Sequence, residues 1–127
     1  MTIHAASNGA PLIVNGYPCS EADISPSGQA SMVLAEETTI HAGNNVIVCP
    51  EGARISEHHD GSISISLGLN NSPIIVNGNL NCSVVQILDS EDSERFGWQV
   101  SATEMLNNNP DDYQIHSFTS NGDERVN

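Results

Sequence analysis

The feature that most constrains this chain is that, over the first 88 positions, its apolar residues come in short strand-length runs, each stopped by turn-forming residues. Leu12 to Val14 precede Asn15-Gly16, Ser31 to Leu34 and Thr38 to His41 flank Glu36-Glu37, and Val46 to Cys49 run into Pro50-Glu51-Gly52. Asp60-Gly61 opens the clearest strand, where Ile63, Ile65 and Leu67 alternate with serine, the period-two pattern of one buried and one wet face. Pro73 to Val76 lead into Asn77-Gly78, and Cys82 to Leu88 carries adjacent apolar pairs that suit burial on both faces. Helical spacing is nearly absent here. The expected fold class is all-β, a sandwich, a jelly roll or a short β-solenoid of about eight to ten short strands.

The chain's 127 residues, 38% of them hydrophobic, support one domain and not two. Before residue 96 the only aromatic is Tyr17, so Val, Ile and Leu must fill a thin core. An internal echo stands out. Ala10 to Gly16 (APLIVNG) and Ser72 to Gly78 (SPIIVNG) agree at nearly every position, and Cys19 and Cys82 follow three and four residues after the glycine. A weaker copy is Val46 to Val48 leading to Gly52. The spacing suits a repeated supersecondary unit, although two hairpins that each use the best strand formers and the best turn would give the same pattern. The stretch from Gly28 to His58 resembles the part of a cupin barrel where a Gly-started strand runs into a Pro-x-Gly turn and a histidine. It covers about a quarter of the chain. The His-x-His and Glu metal motif of cupins is missing, and the gap from Gly52 to His58 is longer than in that family, so the resemblance carries no site over.

The last forty residues differ in character. Asp89 to Arg95 reads as an acidic linker, and four of the five aromatics follow: Phe96, Trp98, Tyr113 and Phe118. Ser101-Ala-Thr-Glu104 has the form of a capping box, which predicts a short C-terminal helix to about Asn107, ended by Asn-Asn-Asn-Pro. Tyr113 and Ile115 then alternate as a final strand with Phe118 off phase, and from Ser120 the polar tail is expected to fray. The expected organisation is a single domain: a β core over 1–88, a linker over 89–95, a helix and strand extension over 96–119 and a tail over 120–127.

Charge narrows the function classes. The formal charge of −13 arises from 16 acidic residues against Arg54, Arg95 and Arg125, with no lysine. Such a chain lacks the cations needed to displace counterions from nucleic acid or to dock on anionic lipid, so neither direct nucleic-acid binding nor membrane binding is expected. It carries no long apolar run and no secretion signal, which predicts a mature protein beginning near Met1 and a cytoplasmic location. Acidity concentrates toward the end: residues 1–50 contribute −4, 51–88 contribute −2 and 89–127 contribute −7. Asp89, Glu91, Asp92 and Glu94, with Asp111 and Asp112 beside Tyr113, form a candidate negative surface. Closely spaced carboxylates can imitate nucleic-acid phosphates and attract a basic protein surface, and the expected partner is a nucleic-acid-handling complex. Trp98 and Tyr113 are candidate anchors, because aromatics are enriched at binding hot spots, though Trp98 also suits the plug of the C-terminal core. The reading is a non-enzymatic inhibitor or immunity-like protein, phage or mobile-element encoded. The alternative is a β-rich assembly subunit of a phage particle or injection machine, and a homo-oligomer fits either.

Catalytic constellations are weak. Cys19, Cys49 and Cys82 are isolated, so reduced core thiols are expected, while a convergence of the three would need the fold to repeat. His58-His59-Asp60, with His41, is a remote metal-site candidate; neighbouring residues in a strand point to opposite faces, and the Asp60-Gly61 turn favours exposed histidines. None of the 16 serines lies in a Gly-x-Ser-x-Gly elbow, and a P-loop is excluded without lysine. No cofactor and no enzymatic activity are expected.

Overall fold

The computed structural model describes residues 3–4, 12–14, 17–26, 29–59, 61–67, 72–89 and 98–124. These form twelve strands: β1 (Ile3–His4), β2 (Leu12–Val14), β3 (Tyr17–Ile24), β4 (Ala30–Leu34), β5 (Thr38–Ala42), β6 (Asn45–Cys49), β7 (Arg54–Glu57), β8 (Ile63–Ser66), β9 (Ile74–Val76), β10 (Leu80–Asp89), β11 (Trp98–Leu106) and β12 (Asn109–Phe118). All belong to one antiparallel sheet, curled into a half-barrel, with the order β1-β2-β3-β4-β7-β8-β10-β9-β6-β5 and the β11–β12 hairpin on the other side of β10. The all-β expectation holds. Every pairing between described strands is antiparallel, which the stacked parallel coils of a solenoid would not produce.

The predicted C-terminal helix is a correction. Residues 101–106 lie in β11, and Val100 and Ala102 are fully buried while their neighbours are not, a period of two. The asparagines read as a helix stop instead make the hairpin: Asn107 and Asn108 both have positive φ (54° and 55°), the pattern of a type I′ turn. Cross-strand pairing along nine residues of β11 outweighs one local capping box.

β10 organises the sheet. Its residues 80–82 pair with β9 and residues 84–87 with β8, so these two short strands follow one another along one edge while β11 lines the other. One limb then runs through β7, β4 and β3, the other through β6 and β5. The inner face carries Met32, Leu34, Ile47, Ile55, Ile65, Ile74, Val76, Val85 and Val100, all essentially without solvent exposure, and the buried aromatic Phe118. Aliphatic side chains fill most of this core, and the Phe118 ring joins them.

The sequence echo is a structural one. β2 pairs with β3 so that Leu12 lies opposite Cys19, and β9 pairs with β10 so that Ile74 lies opposite Cys82. Each cysteine is buried and each is followed by a serine, Ser20 or Ser83, that is left out of the pairing with the next strand as a bulge. The shared pattern thus extends past the glycine, through a Cys-Ser pair that bends each strand.

One end of the half-barrel is fastened by asparagines. Asn45 is fully buried; its Nδ2 donates to the carbonyls of Ala42 (3.1 Å) and Thr119 (2.6 Å), and its Oδ1 accepts from Asn77 Nδ2 (3.1 Å). Asn77 also accepts the Val46 N–H through Oδ1 and donates its own N–H to the Val46 carbonyl. Three turns meet there: the Gly43–Asn44 turn, the Asn77–Asn79 turn and the segment after β12. The segment expected to fray from Ser120 is held instead, with Asn44 N–H donating to Ser120 C=O at 2.6 Å and Phe118 bridging Glu124. Residues 125–127 lie outside the described residues.

Candidate functional site

The C-terminal hairpin presents the chain's most exposed apolar side chains among the described residues. Along β12, Tyr113 and Ile115 are 57% and 59% exposed on the outer face, opposite Met105 and Thr103 of β11. Phe118 points inward, so β12 carries apolar residues on both faces, an arrangement that solvation alone does not favour. Near the tip, Met105 pairs with Tyr113 but Leu106 with Asn109, leaving Pro110, Asp111 and Asp112 as a bulge on β12. An Asx turn fixes its start, the Asp111 N–H donating to Asn109 Oδ1 at 3.0 Å. Asp111 and Asp112 are both exposed and directly precede Tyr113.

The remaining candidate binding residues lie elsewhere. The backbones of Asp89 and Trp98 face each other where β10 ends and β11 begins. Their side chains, and the whole of Glu91, Asp92 and Glu94, lie outside the described residues. Trp98 is seven positions along β11 from Met105, the residue paired with Tyr113, or about 23 Å at strand rise. Asp89 and Trp98 therefore sit at one end of β11, and Asp111, Asp112 and Tyr113 at the other.

A constellation not anticipated from sequence lies on the inner side of the same hairpin. His116 is held between two carboxylates, Nε2 at 2.9 Å from Glu104 and Nδ1 at 2.7 Å from Glu124, and its ring stacks near Phe118. Burial of the ring opposes its charge, but hydrogen bonds and negative charge from Glu124 and Glu104 outweigh that and hold the imidazole above its ordinary value. With an acceptor at each nitrogen, the doubly protonated imidazolium is the form that satisfies both contacts. This clasp ties the segment after β12 to β11. No sequence spacing signals it, because its three members come from two strands and a turn.

The nucleophile and metal candidates occupy other environments. Burial pushes the Cys49 thiol up to about 12, and burial together with the charge of Glu104 pushes Cys82 up to about 12, so neither forms a thiolate at neutral pH. Cys19, Cys49 and Cys82 are all buried. His41 is exposed on β5 and His59 is exposed between β7 and β8. His58 has Ser64 Oγ 3.1 Å from Nε2 and Gln29 Nε2 3.5 Å from Nδ1, which are neutral neighbours. Among the described residues no three His, Cys, Asp or Glu side chains come together as a metal site.

A second acidic feature was also missed. A shallow groove of about 420 Å³ has Val48, Pro50, Pro73 and Ile75 as its apolar lining and Glu36, Glu37 and Glu51 around it. Its parts are scattered along the chain and meet because β6 pairs with β9, with Val48 opposite Ile75. No helix among the described residues is long and apolar enough to cross a membrane. Comparison of the chain with protein-family profiles, with curated proteins and with solved structures gave no match.

Proposed function

We propose that this protein is a non-enzymatic interaction protein whose acidic C-terminal surface docks on a basic, nucleic-acid-handling protein and occludes it. The observation that carries this reading is the juxtaposition on β12 of exposed Asp111 and Asp112 with exposed Tyr113 and Ile115. Carboxylates supply the attraction, and the aromatic and aliphatic side chains supply the contact that persists once the charges are screened. The chain's charge of −13, with no lysine to interrupt it, extends the attraction over a Debye length of about 8 Å at physiological salt. On this reading the protein acts in the cytoplasm and needs no cofactor.

The test is affinity capture from host lysate, eluted along a salt gradient, with two charge-reversed variants in parallel: Asp111→Lys with Asp112→Lys, and Asp89, Glu91, Asp92 and Glu94 all to Lys. A basic nucleic-acid enzyme should elute from the parent protein as salt rises past physiological strength, and each variant should release it earlier. Undiminished capture by a variant carrying all six reversals would sink the proposal. One observation favours a second reading as an assembly subunit of a phage particle or injection machine: among the described residues no strand but β11 pairs with β12, and its other edge is open between Asp112 and Ser117. Retention of the protein itself, or of a particle component, unaffected by salt would support that reading instead.

A further inference from the structure

The free edge of β12 carries more information than its side chains alone. Thr119 N–H donates to Asp123 C=O on the edge away from β11, where Phe118 bridges Glu124. Backbone groups of a strand alternate in direction, so the N–H and C=O of Tyr113 and Ile115 point to that same edge. Among the described residues no strand lies against it between Asp112 and Ser117. Strands of this length are usually guarded at an edge by lysine, proline or a bulge. Here the chain has no lysine, and the bulge over 110–112 guards only the beginning of the strand.

We infer that this edge receives an extended segment of the partner as an added antiparallel strand, a segment in which Lys or Arg alternates with aliphatic residues. The inference rests on the docking reading above and specifies how docking occurs. Alternation assigns the two faces. Side chains of the added strand that share the outer face meet Tyr113 and Ile115, so aliphatic groups fit there and form cross-strand pairs. Those on the other face lie on the side of Glu104 and Glu124, with Asp112 at one end, where a cation is complemented. Charge also decides against a second copy as the occupant. Self-pairing would bring two chains of −13 together and place each bulge aspartate near the partner's acidic end, whereas a basic strand gains at both ends.

The probe is a fluorescein-labelled ten-residue peptide of alternating Lys and Val, compared with the same peptide N-methylated at every second residue, which keeps the charge but removes edge donors. Binding is read by anisotropy at low and physiological salt. The unmodified peptide should bind and the methylated one should be weaker by at least about tenfold, the consequence of losing two or more hydrogen bonds. Ile115→Pro removes an N–H that faces the free edge while sparing the ladder to β11, so it should weaken binding by a similar factor with the far-UV spectrum unchanged. Ile115→Thr, which keeps the backbone donor, should bind more tightly than Ile115→Pro.

Equal, salt-sensitive binding of both peptides would overturn strand addition and leave electrostatic docking standing. Failure of both peptides, with salt-sensitive capture from lysate intact, would do the same. Failure of both together with loss of that capture would overturn the two readings at once. A dimer in sedimentation that Ile115→Pro abolishes would assign the edge to a second copy and overturn the inference.

Discussion

Replacing Asn45 with alanine probes how the open end of the half-barrel is held. The side chain makes three hydrogen bonds, to Ala42, Thr119 and Asn77, and has no solvent exposure. At a net value of about 0.5–1.5 kcal/mol each, their loss costs about 3 kcal/mol, and the two carbonyls left behind keep the cost toward the upper part of the range. Against a total stability of about 5–15 kcal/mol for a domain, that is a large fraction. Asn77→Ala should cost about 2 kcal/mol, because it loses the bonds to Val46 N–H and Asn45 and forces a residue with a Cβ into positive φ without the asparagine's local support. Since the two side chains share a bond, the double variant should cost less than the sum by about 1 kcal/mol. Urea unfolding followed by far-UV circular dichroism measures all three. A cost for Asn45→Ala under about 0.5 kcal/mol with an unchanged denaturant slope would show that the three turns do not depend on this network. Asn45→Asp sharpens the test: it turns a donor into an acceptor facing two carbonyls, so it should destabilise more at neutral pH than in acid.

Three further outcomes are expected. Gly43→Ala should destabilise by about 2 kcal/mol or more, because its Cβ would lie 2.3 Å from the Ser120 carbonyl oxygen and its φ is +63°, whereas Gly52→Ala, at φ +88° with nothing within 4 Å, should cost only about 1 kcal/mol in thermal melts. Ellman's reagent at about pH 8 should leave Cys49 and Cys82 unmodified in the native protein and label them in denaturant, while fast native labelling would contradict their elevated thiol values. Because folding raises the affinity of His116 for its proton, its contribution to stability is complete below the unfolded value near pH 6.5 and is lost as pH rises through the higher folded value. The stability gap between the parent protein and His116→Gln should therefore be wider at about pH 6 than at about pH 9 in urea titrations, and a gap that widens with pH would refute the assigned direction.

The strand class was legible because each short run states its own period and each turn its own chemistry. Asn77-Gly78 and Pro50-Glu51-Gly52 turn where their residues permit positive φ, at Asn77, Gly78 and Gly52. The error over 101–107 shows the limit of such local reading. A capping box and an alternating strand coexist in the same seven residues, and the choice between them is made by β10, whose partners lie far away in sequence. The Glu104–His116–Glu124 clasp and the groove under Glu36, Glu37 and Glu51 were illegible for a related reason: each is assembled by pairing between distant segments, and no spacing announces it. The acidic character of the C-terminal third was plain in the sequence. That Asp89 lies at one end of β11 and Asp111 and Asp112 at the other required the register.

The bulges at Ser20 and Ser83 have a geometric consequence. A strand alternates its faces with period two, so residues three apart cannot both look inward without an extra residue between them. Cys82 and Val85 are both fully buried, and Cys19 and Ala22 both face the core. Each serine acts as a phase shifter: it lets one strand show the same face to two successive partners that would otherwise see opposite sides. For β10 those partners are β9 and β8, and through them the two limbs of the sheet. Deleting Ser83 would smooth the ladder to β11, yet it would rotate Cys82 outward and send one limb's apolar face into water, so the continuity of the inner surface depends on this single irregularity.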